Sequence, residues 1–85
     1  MSDDLKVPPN VPVWLDGILS IMLPFKADIL RAAVYAQLWR EEYRRLEDQL
    51  NASKIYTERL ICEKAQAVCI KHAETCAARM RSFQK

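Results

Sequence analysis

The stretch FKADILRAAVYAQLWREEYRRLEDQLNASKIYTERLICEKAQAVCIKHAETCAARMRSFQK, residues 25–85, contains no proline and no glycine. All four prolines and the single glycine of the chain lie at or before Pro24. The two strongest helix breakers are thus confined to the first part of the chain. Residues 25–85 are instead rich in Ala, Leu, Arg, Glu, Lys and Gln, which lose little side-chain entropy on entering a helix. The fold is decided by how this run is used, as one long helix or as two folded together.

The apolar pattern answers that question. Phe25, Ile29, Ala32, Ala36, Trp39, Tyr43, Leu46 and Leu50 recur at alternating steps of four and three, the seam of a helix packed lengthwise on another. Continued in the same register, the seam meets Ser53, Thr57, Leu60 and Lys64, which are mostly polar. A new phase then starts, carried by Ile55, Cys62, Cys69, Cys76 and Phe83, with Ile61, Ala65, Val68, Ala73 and Met80 beside it. The change of phase falls at Asn51-Ala52-Ser53. Asn tolerates the left-handed conformation that ends helices, and Asn or Ser caps the next one, so a turn is expected there. Folding about residue 51 or 52 sets Leu46 near Thr57, Tyr43 near Leu60, Ala36 near Ala67, Ile29 near Ala73 and Glu74, and Phe25 near Ala77 and Ala78. Large residues then oppose small ones, as close packing requires. The competing arrangement is one helix of ~60 residues, ~90 Å long.

Before this run, residues 1–12 read as an extended arm. Pro8, Pro9 and Pro12 impose extended backbone, and Val7, Val11 and Val13 give apolar grip, so the arm is expected to lie on its own hairpin or on a partner. A short helix comes next over about 13–23, with Trp14, Leu15, Ile18, Leu19 and Met22 at helical spacing and Asp16 and Ser20 opposite. Gly17 weakens it by about 1 kcal/mol relative to Ala, so it needs tertiary support. Pro24 stops it. The expected architecture is all-α: a proline-rich arm, a short helix, and a long antiparallel hairpin of helices over about 25–50 and 53–83, forming one helical domain over 13–85. On the wet face of the first long helix, Glu41–Arg45 and Arg44–Asp48 stand four apart as weak ion pairs.

Composition bounds the function. The 85 residues are 51% hydrophobic and 28% charged with a net charge of +2, too little to make a nucleic acid the default partner. The acidic start, Met-Ser-Asp-Asp, lacks a basic leader region. The most apolar run, Ile18 to Phe25, is interrupted by Pro24 and falls far short of the ~20 residues that span a bilayer. With three cysteines and no export signal, a reducing, cytoplasmic compartment is expected. Asn51-Ala52-Ser53 matches a glycosylation sequon by chance on that reading.

The residues with candidate chemistry are few. Cys62, Cys69 and Cys76 are seven apart and stack along one helix face with His72 among them. Cys69/His72 or His72/Cys76 meets the spacing for a pair of ligands, but Cys62 and Cys76 are ~21 Å apart along a helix, so the row is no metal site. Cysteine as a small buried hydrophobe in a tight seam is the stronger reading. No cofactor is expected. A thiol with His72 lacks an orienting third group and a loop for an oxyanion hole, so the chain is not expected to be an enzyme. Arg79, Arg81 and Lys85 with Phe83 make a short basic end, the basis of a nucleic-acid alternative, while Arg40, Arg44 and Arg45 are interleaved with carboxylates. The segment around Trp14 also has the amphipathic form of a peripheral membrane helix, with Lys26 and Arg31 near the headgroups. The expected function is protein–protein contact, as an interaction module or a small subunit of a larger assembly. Its anchors are Val11, Val13, Trp14, Ile18, Met22 and Phe25, with Trp39 and Tyr43 assigned to the seam. Self-association is expected as an option, and a small virus-encoded inhibitor of a larger enzyme or complex is a further alternative.

Overall fold

The computed structural model describes residues 5–83, which form three α-helices: α1 (Val13–Ile21), α2 (Pro24–Ala52) and α3 (Tyr56–Ser82). There is no strand among them. The long helices α2 and α3 pack against each other as an antiparallel hairpin, and α1 packs on α2. The longest dimension is 48 Å, about half of what one continuous helix would need. Residues 1–4 of the arm and Lys85 of the basic end lie outside the described residues.

Prolines set the first boundaries. Pro12 precedes α1 with extended backbone, and Pro24 opens α2 at a position where its missing N–H is no loss. Leu23, before Pro24, is forced out of the helical region (φ −62°, ψ 142°), and Met22 is already extended. The helix therefore stops at Ile21, two residues short of the expected Leu23.

The turn differs from the sequence expectation more consequentially. Asn51 and Ala52 remain helical, and the link is Ser53-Lys54-Ile55. Asn51 adopts no left-handed conformation; among the described residues only Asn10 has positive φ (62°). α2 ends instead on an extended Ser53, whose N–H donates to the carbonyls of Gln49 and Leu50. Arg59 then reaches back, its Nη1 donating to Leu50 O at 2.8 Å and Ser53 O at 3.2 Å. A cation that satisfies terminal carbonyls does here what a left-handed glycine does elsewhere. Ser53 Oγ accepts from Ile55 N–H and donates to Glu58, closing the link.

Moving the turn moves every partner. Gln66 donates to Tyr43 O and Glu47, so Tyr43 faces Gln66 rather than Leu60. Trp39 meets His72, and Phe25 meets Phe83 edge to face at 5.1 Å rather than Ala77 and Ala78. The expected pairings are displaced by about six positions, because each residue of shift in a hairpin centre changes the facing partner by two. The seam residues themselves are as expected: Ala32, Ala36, Trp39, Leu46 and Leu50 of α2 are buried with Cys69, Ala73 and Cys76 of α3. Tyr43 is half-buried, and Phe25 is 58% exposed despite its ring contact. The ion pairs also differ. Arg45 bonds Glu42 three residues back rather than Glu41, Arg44 does not pair with Asp48, and Asp28 holds Arg31 at 2.9 Å and Arg79 at 3.9 Å.

From Leu5 onward the arm lies on its own hairpin. Trp39 Nε1–H donates to Lys6 O at 3.2 Å, Pro8 is buried, and Leu5 and Val11 pack against the core. The left-handed Asn10 lets the chain reverse into α1, a conformation Asn tolerates better than most residues.

Replacing Arg59 by Met leaves α2's last carbonyls without their donor. Because this side chain is exposed, the expected loss is modest, about 1 kcal/mol by urea denaturation. An unchanged midpoint would show that the clamp contributes nothing to the turn.

Candidate functional site

α1 has two faces, and a step of about 100° per residue assigns them. Leu15 and Leu19 point inward and are buried, Leu15 completely. Met22 is half-buried and packs against the same core. On the other side Trp14, Ile18 and Ile21 form an outward row, flanked by Val13 and Gly17. Val13 is 94% exposed, Ile21 83% and Trp14 55%. Leu23 and Phe25, before and at the start of α2, are exposed as well. Singly exposed apolar side chains are ordinary, but six large ones exposed between positions 13 and 25 are not.

Of the expected anchors, the structure therefore places Val13, Trp14, Ile18 and Phe25 at the surface. It places Val11 and Met22 against the core, because the arm folds back and because position 22 falls on the Leu15/Leu19 side. Ile21 and Leu23 belong to the outward face and were missed. The helical spacing alone did not say which part of the helix's wide apolar arc would be buried.

Gly17 sits within this outward face. A β-carbon added there would meet nothing within 4 Å, so neither packing nor backbone conformation inside the chain calls for glycine.

The cysteine row lies in the seam. Cys69 and Cys76 are buried, Cys62 is half-buried, and all three are free thiols. Burial pushes the Cys69 and Cys76 thiols above their ordinary range, with the Glu42 carboxylate adding to the effect at Cys69. Raised thiols are poor nucleophiles. His72 turns to Trp39, with ring centroids 4.7 Å apart, rather than to a thiol. Burial, then the positive charges of Lys6 and Lys71, push its pKa below the ordinary imidazole value. No group of three or more His, Cys, Asp or Glu among the described residues is arranged to hold a metal. No described helix is long and apolar enough to cross a membrane.

A second feature was not anticipated. On one side of the hairpin seam, Trp39 and Tyr43 of α2 with Cys69, Ile70, Ala73 and Ala77 of α3 line a groove of about 620 Å³. Its rim carries Arg40, Arg44, Arg81 and Glu74, and neither α1 nor the described part of the arm contributes to it. The seam residues were legible, but the groove depends on the register and could not be read before it.

No family model, curated protein or solved structure matches the chain.

The seam has two measurable consequences. In alkylation under native conditions, Cys62 should react first, with Cys69 and Cys76 protected until the protein unfolds; fast modification of Cys69 or Cys76 would contradict their burial. Because the folded state holds His72 less basic than the unfolded chain does, the unfolded state binds its proton more readily. His72 thus costs no stability above about pH 6.5, and the protein loses stability as pH falls below that value toward the lower folded pKa. The comparison is the urea midpoint from about pH 7.5 to about pH 5.5. His72→Phe should flatten that dependence, and an equal slope in the variant would remove His72 from the account.

Proposed function

We propose that this protein is a non-catalytic helical interaction module, a small subunit of a larger protein assembly, that docks through the outward face of α1. The observation that carries this reading is the exposed row Val13, Trp14, Ile18, Ile21, Leu23 and Phe25. Buried aromatic and aliphatic anchors dominate interface energies, and this face presents both types on a helix anchored from behind by Leu15 and Leu19. Gly17 supports the same reading. A glycine in mid-helix costs about 1 kcal/mol relative to alanine, and here no internal contact accounts for it. Close approach of a partner backbone does account for it.

The non-catalytic reading is supported by the thiols, which are buried and raised, and by His72, which stacks on Trp39. A nucleic-acid role draws less support, since two cations of α3 are engaged within the chain, Arg59 at the turn and Arg79 beside Asp28. A reducing, cytoplasmic setting suits three free thiols.

The test is affinity purification from the native host with the intact chain and with Trp14→Ser/Ile18→Ser, followed by reconstitution with the purified partner. The double variant should keep its urea midpoint within about 1 kcal/mol, because both side chains face outward. It should lose the partner. A lone monomer by light scattering, or full retention of the partner by the variant, would overturn the proposal. Gly17→Ala gives an opposite-signed check: the isolated chain should gain up to about 1 kcal/mol of stability while docking weakens. If both improve together, the partner does not approach at Gly17.

A further inference from the structure

A two-helix hairpin has two open sides. Here the arm crosses one of them, where Trp39 donates to Lys6 O and the Lys6 charge acts on His72. Counting around α3, Ile70, Ala77 and Arg81 lie on the opposite flank of the inner row Cys69, Ala73, Cys76 from His72. They line the groove, which is thus the side of the hairpin that the described residues leave uncovered.

Two properties of the groove specify what fits it. Its floor is apolar and aromatic, with Trp39, Tyr43, Ile70, Ala73 and Ala77, and the alanines leave the depth that larger side chains would fill. Its rim has three arginines against one carboxylate, Glu74. Among the described residues, Arg40, Arg44 and Arg81 make no ion pair; the carboxylates of Asp28 and Glu42 go to Arg31, Arg79 and Arg45 instead. The charges sit toward the two ends, Arg40 and Arg44 one turn apart on α2 and Arg81 twelve residues beyond Cys69 on α3. At 1.5 Å per residue the α3 wall, from Cys69 to Arg81, runs ~18 Å, about three helical turns, beside a shorter α2 wall from Trp39 to Arg44.

We propose that this groove is a docking site for an acidic amphipathic helix of about three turns supplied by another protein. Its apolar side chains at i, i+3 or i+4, and i+7 enter between α2 and α3. Its carboxylates meet Arg40 and Arg44 at one end and Arg81 at the other, where arginine can bind a carboxylate through two N–H donors. The bound helix completes a three-helix bundle on the open side, opposite the arm. Trp, Tyr and Arg are the residue types that most often dominate interface energy, and the groove brings all three together. Glu74 sets the limit on tolerated sequence, since a carboxylate placed directly beside it is repelled. This surface is separate from the α1 face, so each reading stands or falls alone.

The experiment uses the full chain and a set of synthetic helices of about fifteen residues, long enough for three turns with ends. All carry Leu at i, i+3 or i+4, and i+7; one series carries Glu on both flanks and the other Lys at the same places. Binding is read by fluorescence anisotropy and by amide shifts in the protein. The Glu series should bind about tenfold or more tighter than the Lys series and weaken as salt rises. The shifts should centre on Ile70, Ala73 and Ala77. Arg40→Glu/Arg44→Glu should reverse the preference, and Ala77→Trp, checked for folding by circular dichroism, should abolish binding by filling the groove. Trp14→Ser/Ile18→Ser should bind the Glu series unchanged, which separates this site from the α1 face. Equal binding of both series, shifts centred on α1, or no binding by any acidic helix overturns the proposal. So does concentration-dependent dimerisation by light scattering that Ala77→Trp removes, since the occupant would then be a second copy of the chain.

Discussion

The arrangement of this molecule depends on where α2 lets go of its helix. No glycine is present to end it, so the chain leaves through an extended Ser53, and Arg59 from the next helix takes up the carbonyls of Leu50 and Ser53. That interaction places the centre of the hairpin in the Ser53–Ile55 link. Every cross-seam pairing is then set by helical geometry: Tyr43 with Gln66, Trp39 with His72, Phe25 with Phe83. A turn centred on Asn51 would have buried the same types of residue but brought different ones together. The groove beside Trp39 is lined by the residues that this register brings together.

The seam combines small and large buried residues. Ala32, Ala36, Ala73 and Cys76 allow the backbones to approach, and Tyr35, Trp39, Leu46 and Leu50 fill the volume around them. Gln66 is the one buried polar side chain among the described residues, and it is satisfied by Glu47 and Tyr43 O. Burial accounts for both the raised thiols and the lowered His72, so the most chemically suggestive residues of the sequence are in an environment that suppresses their chemistry. Large apolar side chains remain exposed on the outer surfaces.

Two such surfaces stand out, and they differ in character. The α1 face is convex, apolar and carried on a short helix held from behind by two leucines. The groove is concave and apolar with a cationic rim. A molecule that uses both would bridge two partners across the hairpin. The arm and α1 serve the first surface and close one side of the hairpin, which leaves the second surface as the other side.

Much of the fold was legible in the residues. The absence of Pro and Gly after Pro24, the four-three seam of α2 and its change of phase determined an all-α hairpin with a short helix and an arm before it, because backbone restriction and apolar periodicity are local properties. So was the place of the cysteine row in the seam, since seven-residue spacing keeps one face in any helix. The turn position was not legible, because an arginine from the second long helix replaces the local glycine signal on which such a reading relies. The split of α1 into Leu15/Leu19 inside and Trp14/Ile18/Ile21 outside was also not legible, since Asp16 and Ser20 mark only the polar side and the remaining apolar arc is too wide for periodicity to say which part of it is buried. Periodicity fixes what each helix is, and only the packing between helices decides which of its apolar residues are left to meet something else.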